Sequence, residues 1–186
     1  MTTASIPDAL STPVPAISEA ERRERLQRAR ELTADAGGDA LLIAAGASLR
    51  YFAGVPWGLT ERFVGMLLPV KGDKPVMICP AFELGSLRAD LKIDADFLLW
   101  EEDEDPFTMV AGALRDLGAK QLLVDSMLPF QMGDRLRRAA GSVTLVDGAP
   151  AIDGCRMLKS PAELALLQRA KDMTLEVHRR VFDRLR

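Results

Sequence analysis

The sequence predicts an α/β layered domain built on a mixed sheet of five or six strands, and three observations carry that prediction. Short apolar runs recur along the chain, segments with helical periodicity and capping signals lie between them, and one pair of runs is joined by a turn suited to a hairpin. At 186 residues, 48% of them hydrophobic, the chain is long enough for one sizeable core and short for two full domains.

Residues 1–17 hold Pro7, Pro13 and Pro15 among small residues without periodicity, and read as a flexible lead-in. Ser18-Glu19-Ala20-Glu21 has the form of a capping box, in which the serine hydroxyl accepts from the Glu21 amide and the Glu21 carboxylate reaches back to the cap. It predicts a helix over 19–36, with Leu26, Ala29, Thr33 and Ala36 on one face and Gly37-Gly38 as a left-handed stop.

Ala40 to Ala44 is continuously apolar, the pattern of a strand covered on both faces. Similar runs follow at 63–68, 76–79, 97–100, 122–124 and 143–146. Between the second and third lies Pro69 to Pro75, whose Gly72-Asp73 suits a hairpin, so the sheet reads as mixed. Asp105-Pro106 supplies the cap and first position of a helix with Val110, Leu114 and Leu117 on one face, and another begins at Pro129 with Leu136 inward. Gly118 and Gly141 stop these two helices.

Lys159-Ser160-Pro161-Ala162-Glu163 opens the last helix, with Ser160 as cap, Pro161 at the first position and Glu163 completing a capping box. Leu166, Ala170, Met173, Val177 and Val181 form an apolar stripe that reaches the end of the chain without a stop signal, so the polypeptide reads as ending mid-protein.

Function classes narrow by elimination. A net charge of −3 provides no basic field for a phosphate backbone, and the arginine clusters fall in helix-like segments among acids, so no nucleic-acid partner is expected. No apolar run approaches the roughly 18 residues of a membrane span, and the start lacks a signal peptide's pattern. Cys79 and Cys155 form neither a disulfide framework nor a redox pair and read as reduced, buried thiols of a cytoplasmic protein.

The single histidine, His178, reads as a surface residue. The acidic run Glu101 to Asp105 lacks the spacing of a calcium loop and reads as a solvated turn that caps the next helix. Phosphate-cradling glycine motifs and a nucleophile elbow are missing, so no catalytic residue and no metal ligand is expected in this chain. The most suggestive segment is Arg50 to Arg62. Tyr51 and Phe52 read as packing, whereas Trp57 offers a flat wall for a proline ring and Arg62 a clamp for a carboxylate.

As a set, the residues resemble the amino-terminal domain of the creatinase, prolidase and aminopeptidase P family. The likeness covers 18–186 and rests on the arginine-rich first helix, Asp39 to Ile43, Leu49 to Gly54, Glu61-Arg62-Phe63, Leu67-Leu68-Pro69, Trp100-Glu101, Asp105-Pro106 and Val124-Asp125. Its most specific part is Arg156-Met157-Leu158-Lys159-Ser160-Pro161-Ala162-Glu163.

The resemblance implies a three-layer α/β domain related to the ribonuclease H motif over 18–155, then a linker helix over 156–186 that enters a catalytic domain. That domain would hold two divalent metal ions, manganese, cobalt or zinc, on two Asp, one His and two Glu, and act on Xaa-Pro peptides. The present domain would serve homodimerisation and carry Trp57 and Arg62 close to the partner subunit's substrate, Arg62 matching the substrate-facing arginine of creatinase-like members. Ser48 stands where the family often has Asn, and is expected to cap a short helix there. Two alternatives stay open: a stand-alone dimerisation or ligand-binding module, and the amino-terminal domain of a creatinase-like hydrolase acting on non-peptide substrates.

Overall fold

The computed structural model describes residues 13–72 and 74–185. The expected lead-in therefore lies outside the described residues as far as residue 12, as do Asp73 of the hairpin and Arg186.

The chain forms α1 (Glu19–Asp35), β1 (Ala40–Ala44), α2 (Ala47–Ala53), β2 (Gly65–Pro69), β3 (Val76–Pro80), a 3-10 turn (Ala81–Glu83), α3 (Leu84–Asp90) and β4 (Asp96–Trp100). It continues through α4 (Pro106–Asp116), β5 (Gln121–Val124), α5 (Phe130–Ala140), β6 (Thr144–Asp147), α6 (Ala149–Arg156) and α7 (Pro161–Leu185). Glu19–Met157 is one compact unit, and α7 belongs to another.

Six strands make one mixed sheet in the order β4-β3-β2-β1-β5-β6. β2 runs antiparallel to β1 and β3, whereas β1 with β5, β5 with β6 and β3 with β4 are parallel. Five strands thus point one way and β2 alone is reversed. The carboxyl ends of β1, β3, β4, β5 and β6 and the start of β2 share one end of the sheet.

Period-two alternation places the side chains of each strand in two separate cores. Leu41 and Ile43 of β1, Met66, Met77 and Leu123 meet Leu26 and Ala29 of α1, Phe52 of α2 and Ile152 of α6. Leu42, Leu67, Ile78 and Leu122 face the other way, onto Phe107, Val110 and Leu114 of α4 and Leu136 of α5. Helices on both faces of the sheet give the three-layer α/β architecture that the family resemblance implied.

The strand runs at β1 and β2 are fully buried, as the continuous apolar pattern demands. β4 and β6 read the same way in the sequence, but they are the sheet's edges, and Phe97, Leu98, Leu99, Leu145 and Val146 are only half-buried. Gly37 and Gly118 adopt the left-handed conformation assigned to them, with φ of 77° and 64°. Helices α3 and α6 have no counterpart in the sequence reading. Ser48 does not cap α2: the cap position is Gly46, with no side-chain bond, and Ser48 is buried inside the helix, where its Oγ lies 3.4 Å from Nη1 of Arg156.

The capping box of α7 forms as expected: the Glu163 amide donates to Ser160 Oγ at 3.1 Å, and the Ser160 amide donates to Glu163 Oε2 at 2.9 Å. None of the 25 residues of this helix is buried.

Candidate functional site

The segment between α2 and β2, residues 54–64, crosses the sheet end where the parallel strands finish, the place at which α/β sheets bind ligands. Gly54 ends α2 at φ 85°, and its amide donates to the Arg50 carbonyl. That carbonyl and its neighbour on Tyr51 also accept from Arg22 Nη1, at 3.1 and 3.0 Å, and Tyr51 O accepts from Arg25 Nη1 at 2.9 Å. Two guanidinium groups thus satisfy the open carbonyls at the helix end, where the dipole favours positive charge.

The loop is pinned at both ends. The Gly46 amide donates to the Trp57 carbonyl at 2.8 Å, and the half-buried Trp57 ring packs on the core formed by α1, α2 and the sheet. At the far end Trp100 Nε1 donates to the Phe63 carbonyl at 3.1 Å, and the Ala45 amide donates to the Val64 carbonyl. Between these anchors Gly58, Leu59, Thr60 and Glu61 are exposed.

Arg62 sits at the edge of that exposed stretch. Its Nε and Nη2 donate to the two carboxylate oxygens of Glu102 at 2.9 and 3.2 Å, and Nη1 donates to Glu61 Oε1 at 2.7 Å. The Phe82 ring lies 5.6 Å from its Cζ. The hydrogen bonds from Arg62 hold the Glu102 carboxyl below its ordinary range and raise the guanidinium in turn. The described contacts do not link Trp57 to Arg62: the first faces the core, the second the acidic turn after β4.

That turn, which the sequence suggested was a solvated cap, divides its carboxylates among separate tasks. Glu104 Oε2 accepts from the Glu101 amide, Glu102 holds Arg62, and Asp105 caps α4 by accepting from the Phe107 amide and the Thr108 hydroxyl. Among the described residues no group of three or more His, Cys, Asp or Glu side chains is placed to hold a metal ion. His178 is exposed on α7, and Cys79 and Cys155 are free, buried thiols.

A concavity of about 490 Å³ lies beyond the carboxyl ends of β5 and β6, lined by Asp125, Ser126 and Asp147 with apolar Leu128, Phe130 and Leu145. Its polar groups are used locally: Asp125 accepts from the Ala44 and Met127 amides, and Asp147 accepts from the Ser126 hydroxyl and the Ala149 amide. Those bonds hold Asp147 below the ordinary carboxylate range, the Ser126 hydroxyl first.

Sequence reasoning singled out Trp57 and Arg62 but not Glu102 or Phe82. Glu102 stood in the acidic run as one carboxylate among five, and nothing local marks it as the partner of a residue 40 positions earlier.

The family model described as Creatinase/Prolidase N-terminal domain matches residues 25–158. An uncharacterised peptidase of Schizosaccharomyces pombe is 30% identical over 156 residues, which are 77% of this chain and 34% of that protein. The crystal structure of dipeptidase PepE from Mycobacterium ulcerans superposes with a TM-score of 0.74 at 28% identity, over 90% of this chain and 45% of that one. Recombinant prolidase from Thermococcus sibiricus gives 0.78 at 20% identity, over 91% and 45%, and shows the shared fold. The chain spans less than half the length of each.

Proposed function

The chain belongs to the creatinase/prolidase N-terminal domain family, and from that premise we propose that it is the non-catalytic amino-terminal half of a cytoplasmic, metal-dependent Xaa-Pro dipeptidase or aminopeptidase. The observation that carries this reading is the family match, which covers nearly the whole compact unit Glu19–Met157. The relatives that support it are named as peptidases and are more than twice as long as the part they share.

In this reading the chemistry belongs to a half beyond residue 186; two divalent ions held there, manganese, cobalt or zinc, would supply Lewis acidity and an activated water. Among the described residues of this chain no group of three or more His, Cys, Asp or Glu side chains is placed to hold such ions. The chain's own part is to pair two protomers and to present the loop from Trp57 to Arg62 to the partner's substrate. In this reading the part of the half-buried Trp57 ring that the core leaves uncovered is the apolar wall for a proline ring, and Arg62 meets the peptide carboxylate.

The purified 186-residue chain, supplied with manganese, cobalt or zinc, is expected to hydrolyse no Xaa-Pro peptide, whereas the full-length protein does so as a dimer. Robust cleavage by the chain alone would overturn the assignment of catalysis to another half. The intact mass of the native product tests the same point: roughly twice 20.3 kDa supports the reading, and a mass near 20.3 kDa makes a stand-alone module the better account.

A further inference from the structure

A guanidinium has two edges that can meet a carboxylate, and Arg62 uses them unequally. Its Nε and Nη2 form a fork-to-fork pair with Glu102, which fixes the plane of the group as well as its charge. Nη1, on the other edge, has only Glu61, its neighbour in sequence, whose side chain is 79% exposed. A one-point pair between two solvated side chains contributes little, so an incoming carboxylate displaces Glu61 at almost no cost. The two-point grip of Glu102 must persist if the plane is to hold.

The surroundings reinforce that grip. Phe82 lies against the guanidinium from the turn after β3, and Trp100, two residues before Glu102, donates its indole N–H to Phe63, one residue after Arg62. The end of β4 and the end of the loop are therefore joined at two points, one buried and one exposed. Resting on the reading of Arg62 as the residue that meets substrate, we infer that Glu102 is its positioning residue. Glu102 turns the Nη1 edge outward, and the carboxylate of a short peptide takes the place of Glu61 there. Glu102 itself touches no substrate and acts only through Arg62.

The test is the separate measurement of kcat and KM for an Xaa-Pro dipeptide in the full-length protein. Glu102→Gln keeps the shape but removes the charge that holds the fork, and should raise KM about tenfold with kcat within about twofold. Arg62→Ala should raise KM at least as much, and the double variant no further than Arg62→Ala alone. The exchanged pair Arg62→Glu with Glu102→Arg restores the ion pair yet leaves KM high, because the loop position then offers a carboxylate to the substrate's carboxylate.

A normal KM in Glu102→Gln beside a raised KM in Arg62→Ala would overturn the positioning role and leave the reading of Arg62 standing. A normal KM in Arg62→Ala would remove both. Recovery of KM in the exchanged pair would reduce the contact to a mechanical latch and also overturn the inference. Thermal melting of the same variants separates these outcomes from unfolding, since both side chains lie at the surface.

Discussion

At the scale of single residues, the least expected group is Arg25, only 7% exposed within the first helix. It pairs with Glu21 at 2.6 Å, lies 4.0 Å over the Tyr51 ring and donates to the Tyr51 carbonyl. The Tyr51 hydroxyl in turn donates to the Cys155 carbonyl at 2.8 Å, so one cluster joins α1, α2 and α6. Arg25→Ala leaves the Glu21 carboxylate, 19% exposed, without that partner and should cost about 2 kcal/mol by urea denaturation. Arg25→Lys should recover little of it, because one ammonium cannot serve both the carboxylate and the carbonyl in a fixed plane. Burial pushes the Cys79 and Cys155 thiols up to about 11. At pH 8 both should ignore a disulfide reagent until denaturant is added. The unfolded chain loses these protons near pH ~8.5, before the folded one does, so stability should fall as pH rises from there toward 11.

At the scale of elements, β2 begins at a position with no room for a side chain. A β-carbon on Gly65 would stand 2.8 Å from the Ile43 carbonyl oxygen and 2.9 Å from the Phe63 ring, against backbone that its own ladder holds in place. Gly65→Ala should therefore destabilise by about 1–3 kcal/mol, read as a lowered urea midpoint at unchanged slope. The helices divide by length. α1, α4 and α5, of 17, 11 and 11 residues, carry enough turns for a periodic stripe, and the sequence disclosed all three. α2, α3 and α6, of 7, 7 and 8 residues, have at most two turns, too few for periodicity to register. For α2 the family likeness supplied the helix but the wrong cap. For α6 the signal was present in Pro150 near its start, although the preceding glycine hides it among turn residues.

At the scale of the molecule, among the described residues both hydrophobic cores are assembled from residues between Leu26 and Cys155. A chain ending at Met157 should accordingly melt within about 5 °C of the longer one while losing the helical signal of α7, as circular dichroism would show. A large fall in Tm would mean that the compact unit depends on its last helix. No described helix is long and apolar enough to cross a membrane.

The amino-acid sequence by itself determined the α/β class, the mixed sheet, the long helices with the caps of α4 and α7 and the glycine stops after α1 and α4, and the family. All of these are local or nearly local: periodicity, capping and turn geometry act over four to eight residues, and the family motifs are read in order along the chain. Only the tertiary structure decided which apolar runs became edges, because burial on two faces depends on neighbours that a strand does not encode. It also decided that Glu102 would meet Arg62. That pairing arises where the reversed β2 brings the start of one strand beside the carboxyl ends of the others, across 40 residues of sequence.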